Sequence, residues 1–412
     1  MSDHFPQEIL ISILQRLSPK SLVKFTSVSK SWYSLITHPS FIFNHFHYSL
    51  TNNPSFLLIQ FCNELSHPNP SLAPVLYSLR RDNHPFLLDS ASTLFLPSGF
   101  NREFSVMGIC NGVICITSGS QCLTLIICNP CVRRYVTLPK PRDYCSLYNA
   151  SVGFGFDSKN NDYKVVRICS MLDDDRFELC APEVEVYSLA TGFWRNSSNL
   201  PPVCSLCYVG SYAPHGFING VIHWGAKRRT GSYNDNGWYH FVLSFDFENE
   251  MFGEVLLPQS LATVSSDSVT VIGGGGKCLT VYHVSAGSPC SCNIWMMKEY
   301  GVVESWNKVF SFDLRGFNLE APSLGITVTG VTAPPATLCI RNSGEVLLLM
   351  DEAGRGCLYS LDIEGKRFID LQIGGEGYTW YLYSGYYRES LVFLNKANGM
   401  HFLVERILTQ SV

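Results

Sequence analysis

Between residues 127 and 368 one pattern recurs five times: an apolar run ends, a polar turn follows, and an aromatic side chain comes next. Ile127 to Tyr135 passes through Asn129-Pro130, Tyr187 to Trp194 through Thr191-Gly192, Phe245 to Phe252 through Glu248-Asn249-Glu250, and Leu361 to Phe368 through Glu364-Gly365. Ile294 to Trp306 takes a longer turn around Lys298-Glu299-Tyr300-Gly301. The aromatic positions stand 59, 58, 54 and 62 residues apart. A solenoid unit of ~20–45 residues is too short for that period. A four-stranded propeller blade of ~40–50 residues fits, with room for one long loop in each unit.

Strands can be placed inside the units. One unit runs through Val106 to Ile109, Val113 to Ile116, Leu123 to Ile127 and Arg134 to Thr137; the next through Val152 to Phe156, Tyr163 to Ile168, Val184 to Tyr187 and Trp194. Three more centre on Val221 to Trp224 with Val242 to Phe245, Leu279 to His283 with Ile294 to Met296, and Val346 to Met350 with Leu358 to Leu361. Four runs are left over: Phe56 to Gln60 and Val75 to Leu79 before the array, Tyr378 to Tyr383 and Leu391 to Leu394 after it. Open sheet edges template aggregation, so these four are expected to pair into a sixth blade built from both chain ends. Composition agrees: 46% hydrophobic and 13% aromatic residues, with only 16% charged against ~25% in an ordinary globular chain. The fold class is mainly β with a small α module in front.

That module reads as short helices. Pro6 suits a first helical position, and Ile9, Leu10, Ile13, Leu14 and Leu17 recur at helical spacing. Ser18-Pro19 stops this helix and starts another with Leu22, Val23 and Phe25 on its apolar side. A third, from about Val28 to Ile36, offers Val28, Trp32, Leu35 and Ile36, and His38-Pro39 ends it. Three such helices carry more apolar surface than they can hide from each other. The surplus docks either on a partner or on the chain's own β domain.

The string Phe5-Pro6-x-Glu8-Ile9-Leu10 … Ile13-Leu14-x-Arg16-Leu17-Ser18-x-Lys20-Ser21-Leu22-x-x-Phe25 … Val28-Ser29-Lys30-Ser31-Trp32 resembles an F-box. It departs from the usual pattern at Phe5 for Leu, Ser18 for Pro and Ser29 for Cys, and none of these puts a charge on the docking face. The resemblance implies binding to a Skp-type adaptor, and through it to a cullin and a RING subunit. Carried over by position, Pro6, Glu8, Ile9, Leu10, Ile13 and Leu14 would make most of the adaptor contact. Pro19, Leu22 and Val23 would extend it, and Val28 and Trp32 would hold the helices together.

The β region carries strings similar to the F-box-associated domain of plant F-box proteins, a kelch-like family that includes the S-locus F-box proteins. They are Gly108-Ile109-Cys110-Asn111-Gly112-Val113-Ile114-Cys115, Asn129-Pro130 with Leu138-Pro139, Gly153-Phe154-Gly155-Phe156-Asp157 … Asp162-Tyr163-Lys164-Val165-Val166, Ile294-Trp295-Met296-Met297-Lys298-Glu299-Tyr300 … Glu304-Ser305-Trp306, and Tyr387-x-Glu389-Ser390-Leu391. The expected division is an F-box module over 1–45, a linker over 46–54 and a propeller domain over 55–412. The work implied is that of a substrate receptor in an SCF-type ubiquitin ligase.

Charge and motifs narrow the alternatives. Thirty basic and 34 acidic residues give a net charge of −4, which argues against a nucleic-acid partner. No apolar run approaches the ~18–20 residues of a membrane span, and the acidic start Met1-Ser2-Asp3-His4 is unlike a secretory signal. The expected address is the cytosol or nucleus, and the 16 cysteines are then free thiols. The pairs Cys128/Cys131 and Cys204/Cys207 have zinc-ligand spacing but sit beside apolar strand and Pro-Pro sequence, so no metal is expected. His45 and His47 lack a third ligand and read as linker residues. Gly273 to Gly276 with Lys277 lacks the Walker spacing and its Ser/Thr, and reads as a turn. No cofactor and no catalytic residues are implied.

Two readings remain: a non-catalytic receptor, or a propeller enzyme or scaffold whose leading helices pack internally. For a target, two polar segments are candidates by length. One contains Asp173, Asp174 and Asp175. The other contains Lys227, Arg228, Arg229, Tyr233 and Trp238, a mix of bases and aromatics suited to an acidic or aromatic protein patch.

Overall fold

The computed structural model describes residues 6–52, 55–63, 75–82, 92–93, 104–118, 122–142, 148–171, 181–207, 215–230, 237–264, 269–274, 278–285, 291–313, 319–321, 326–328, 336–352, 355–365, 367–371, 379–394 and 401–402. Four helices lead: α1 Gln7–Leu14, α2 Pro19–Phe25, α3 Lys30–Ile36 and α4 Pro39–Asn52. The Ser18 hydroxyl accepts the Ser21 amide at 3.3 Å, and the Ser29 hydroxyl accepts the Trp32 amide at 3.2 Å. Each satisfies one of the N–H groups that a helix start leaves without an internal acceptor. Pro6 stands just outside α1 as its N-cap, not at its first position.

The fourth helix corrects one expectation. α3 stops just before His38-Pro39, as the sequence implies, but most of 46–54 is helix and not a linker. Proline cannot continue a helix but fits the first turn of a new one, and Pro39 opens a helix of 14 residues that reaches Asn52. The first strand begins at Phe56.

Beyond it six antiparallel blades follow in chain order. Blade II, for instance, runs from its inner to its outer edge through Phe104–Cys110, Val113–Ser118, Thr124–Asn129 and Arg134–Thr137, and His401–Phe402 adds to its outer edge. Blade III is Tyr148–Asp157, Asp162–Met171, Glu183–Ser188 and Phe193–Asn196; blade IV is His215–Ile218, Val221–Arg229, Trp238–Asp246 and Met251–Leu256. Blades V (Val269–Gly274, Leu279–Ser285, Ser291–Met297, Trp306–Asp313) and VI (Ala336–Ile340, Val346–Glu352, Arg355–Asp362, Arg367–Asp370) complete the array. The glycine string read as a turn lies partly in strand: Gly273 and Gly274 pair in parallel with Cys339 and Ile340, joining the inner strands of V and VI.

The recurring aromatics occupy one structural position. Tyr135, Trp194, Phe252, Trp306 and Phe368 all sit at the start of a blade's fourth strand, opposite Cys128, Tyr187, Phe245, Met297 and Leu361. Two of them also tie neighbouring blades together. Trp194 Nε1 donates to the Pro139 carbonyl at 2.7 Å, and Trp306 Nε1 donates to the Leu256 carbonyl at 2.9 Å. The spacing seen in the sequence is therefore the period of the fourth strand of successive blades.

Blade I is made by both ends of the domain. Phe56–Asn63 pairs with Val75–Arg81 on one side and with Thr379–Tyr387 on the other. The late strand is innermost, packed beside Phe104–Cys110 and Ala336–Ile340. The fourth strand is Ser92–Thr93, not Leu391 to Leu394, whose Leu391 and Phe393 are buried in a turn against the helices. Buried charge locks this blade to VI. Asp82 accepts from Arg341 Nε at 2.9 Å, the Tyr386 hydroxyl at 2.6 Å and the Asn342 amide at 3.1 Å.

A second buried charge cluster joins blades III and IV. Lys164 Nζ lies 2.5 Å from Asp157 and 2.7 Å from Glu250, and it donates to the Phe247 carbonyl at 3.2 Å. Burial opposes ionisation of Asp157, but hydrogen bonds from Lys164 and Asn160 outweigh it and hold the carboxyl below its ordinary range. Glu250 is likewise lowered against burial by Lys164 and Arg195.

Two outcomes follow from these clusters. Asp82→Ala leaves the buried Arg341 with Glu345 as its carboxylate partner but removes the acceptor of the Tyr386 hydroxyl and the Asn342 amide; it costs about 1–3 kcal/mol, read as a lower urea midpoint. The Asp157 and Glu250 contribution is complete at neutral pH and fades as pH falls below about 5, because both folded pKa values lie under the unfolded ones. Urea midpoints taken from pH 7 to pH 3 should fall less steeply in Asp157→Asn with Glu250→Gln than in the parent, from a lower starting value.

Candidate functional site

Five of the eight α1 residues are apolar, and a short helix can bury only one side. Leu14 is 1% exposed and joins Leu22 (0%), Ile36, Phe41 and Ile42 in a core shared with blade II and with Leu391 and Phe393. Ile9 and Ile13 point the other way, 46% and 49% exposed. With Glu8, Ser12, Arg16 and Leu17 they line a shallow groove along the outer side of the helix.

The residues expected to contact an adaptor therefore divide. Pro6, Glu8, Ile9 and Ile13 are exposed, and Leu10 and Val23 are half-buried. Leu14, Pro19 and Leu22 are buried within the free chain and offer a partner no surface. The two residues expected to hold the helices together also differ. Trp32 packs edge-on against Phe25, ring centroids 5.5 Å apart, whereas Val28 is 59% exposed in the turn before α3. The missed signal is in the spacing: positions 9 and 13 share one helical stripe, and 10, 14 and 17 share another.

His45 belongs to the support of this face and not to a linker. It is buried on α4, and its Nε2 donates to the Leu17 carbonyl at 2.9 Å, just past the end of α1. Burial lowers its pKa, offset in part by that hydrogen bond, so the ring stays neutral. His47 is exposed and lies against Phe43 with ring centroids 4.2 Å apart.

The turn after the last inner strand grips both parts of the chain. Asn129, fully buried, donates through Nδ2 to the Ser390 carbonyl and hydroxyl at 3.1 Å each and to the Val392 carbonyl at 2.8 Å. Gly112, at φ +76°, has room for no side chain: a Cβ there would stand 2.4 Å from the Arg388 carbonyl oxygen. Toward the helices, Lys20 Nζ meets Glu389 at 2.7 Å, and Arg388 donates to the Ser49 carbonyl at 2.5 Å.

The expected target segments divide too. Asp173, Asp174, Asp175 and Tyr233 lie outside the described residues. Lys227, Arg228 and Arg229 end a strand of blade IV and are not a solvated loop. Lys227 Nζ stands 4.3 Å and the Arg229 guanidinium 5.2 Å from the Trp238 ring centre. Arg228 donates twice to Glu254, at 2.8 and 3.0 Å. Antiparallel strands alternate direction, so the ends at Met171 and Arg229 lie on the face opposite the turns at Asn111-Gly112 and Asn129-Pro130, where the helices sit.

Cys128, Cys131, Cys204 and Cys207 are all buried, and burial raises the Cys128 and Cys204 thiols to about 12 and that of Cys131 higher still. Among the described residues no three His, Cys, Asp or Glu side chains gather as a metal site.

Two family models match the chain. The F-box domain covers residues 2–44, and the F-box associated beta propeller domain covers residues 76–394. The F-box protein CPR1 of Arabidopsis thaliana is 30% identical over 320 residues, spanning 74% of this chain and 72% of its own. F-box protein At3g07870 of the same plant is 25% identical over 401 residues, spanning 90% and 88%. With its groove on a leading helical module and its six blades behind, this chain belongs to the F-box proteins that carry an F-box-associated β-propeller.

Proposed function

We propose that the chain is the substrate-receptor subunit of an SCF-type cullin-RING ubiquitin ligase, acting in the cytosol or nucleus. Its F-box takes the Skp-type adaptor, and through it a cullin and a RING subunit; its propeller takes a target protein. The observation that carries this reading is the half-exposed pair Ile9 and Ile13 on α1, in an F-box whose opposite side is already sealed. Fully burying an isoleucine is worth ~1.5–3 kcal/mol, so each half-exposed one leaves about 1 kcal/mol for a partner to collect.

The chain itself does no chemistry in this account. It raises the effective concentration of a target beside a ubiquitin donor carried by other subunits. The target contacts are assigned to the face opposite the helices, where the strand ends at Met171, Arg229 and Trp238 lie. There the target and the adaptor do not compete for one surface. The internal-packing alternative accounts for Leu14 and Leu22 but not for Ile9 and Ile13.

Mixing the purified chain with a Skp-type adaptor tests the reading. Ile9→Asp with Ile13→Asp should weaken the complex by at least about tenfold, the equivalent of 1.4 kcal/mol, and leave the propeller's near-ultraviolet circular dichroism unchanged. Leu14→Ala should act through stability, at a cost of about 2–5 kcal/mol. A parent chain that captures no adaptor overturns the reading.

A further inference from the structure

Arg388 and Glu389 are neighbours of opposite charge, and each addresses a helix end of matching need. Ser49 lies in the last turn of α4, where carbonyls have no partner within the helix and the helix dipole is negative. Arg388 donates to that carbonyl at 2.5 Å. Lys20 is the second residue of α2, where a positive charge opposes the dipole. Glu389 stands 2.7 Å from it and holds the ammonium charged by hydrogen bonding, against a smaller opposing effect of burial.

The next residues belong to the propeller. Ser390 and Val392 accept the buried Asn129 amide, and Arg134 donates to the Phe393 carbonyl at 3.1 Å. Leu391 and Phe393 lie in the one apolar cluster that contains both Leu22 of α2 and Val132 of blade II. Seven consecutive residues, 388–394, thus bond the end of α4, the start of α2 and the outer turn of blade II. They leave the innermost strand of the closing blade directly at Tyr387.

We propose that 388–394 is a clasp that fixes one orientation of the F-box on the propeller, with Arg388 and Glu389 as positioning residues. Resting on the receptor reading, this gives the clasp a role in transfer: it sets the offset between the adaptor and a target held on the far face. A surface ion pair alone contributes only ~0–1 kcal/mol. The restraint comes from two helix-end contacts on a segment already anchored by Asn129 and two buried side chains.

Electron–electron distance measurements test it on the full chain. Spin labels are placed at the exposed positions Lys24 and Glu364 through genetically encoded residues, so that native thiols are untouched. The parent should give one narrow distance population, with and without the adaptor. Arg388→Ala with Glu389→Ala should lose that narrow population while adaptor capture persists. Glu389→Lys should broaden it, and adding Lys20→Glu should restore it, which a loss of packing alone would not allow. If the double alanine variant loses its propeller fold, the Lys20→Glu single variant on the helix surface supplies the same reading. A broad distribution in the parent, or a narrow one in folded variants, overturns the clasp. A parent that is narrow but captures no adaptor overturns the receptor reading and leaves the clasp standing.

Discussion

The pairing of Phe56–Asn63 with Thr379–Tyr387 is the constraint on which the rest of the molecule depends. It joins strands more than three hundred positions apart, and it closes an open row of blades into a ring. Loop-closure entropy grows only slowly with length, so a single long-range ladder can meet that cost. The buried Asp82, Arg341 and Tyr386 cluster then makes the ring particular about which blade meets which. The first residue of one strand, Phe56, pairs with the last of the other, Tyr387, so the incoming helices and the outgoing turn meet at that end of the ladder.

That meeting explains how the F-box is supported. Three short helices are marginal alone. Here they gain a fourth, a buried neutral histidine against the end of α1, and an apolar core continuous with blade II. The inward side of α1 is spent on this support, and the outward side, at Ile9 and Ile13, stays half-exposed. Internal packing and the proposed partner docking therefore use two sides of one helix and do not exclude each other.

Much of this was legible in the sequence. The aromatic period located the fourth strand of blades II to VI because those side chains sit opposite the same point of the preceding strand in each. The F-box anchors were legible as a set, but not their division into inner and outer stripes, since every position in Ile9-Leu10 … Ile13-Leu14 is apolar. Leu391 to Leu394 looks like a strand by composition; its side chains are buried because it caps an interface, a tertiary fact that hydrophobicity alone does not encode. Lys227 to Arg229 looks like a loop because charges favour solvent, yet these bases end a strand and stack on Trp238. The meeting of Gly112, Asn129 and Ser390 could not be read from spacing, although each stands in a string that resembles the family.

The central proposal is that α1 presents its outer stripe to a Skp-type adaptor and that the strand ends on the propeller's far face take no part in that contact. Hydrogen exchange of the full chain, followed with and without a Skp-type adaptor, addresses it most directly. The account predicts slower exchange across Glu8–Leu17 on adding the adaptor, and no change at the strand ends around Met171 and Arg229. Unchanged exchange in α1, or protection at those strand ends instead, would contradict it.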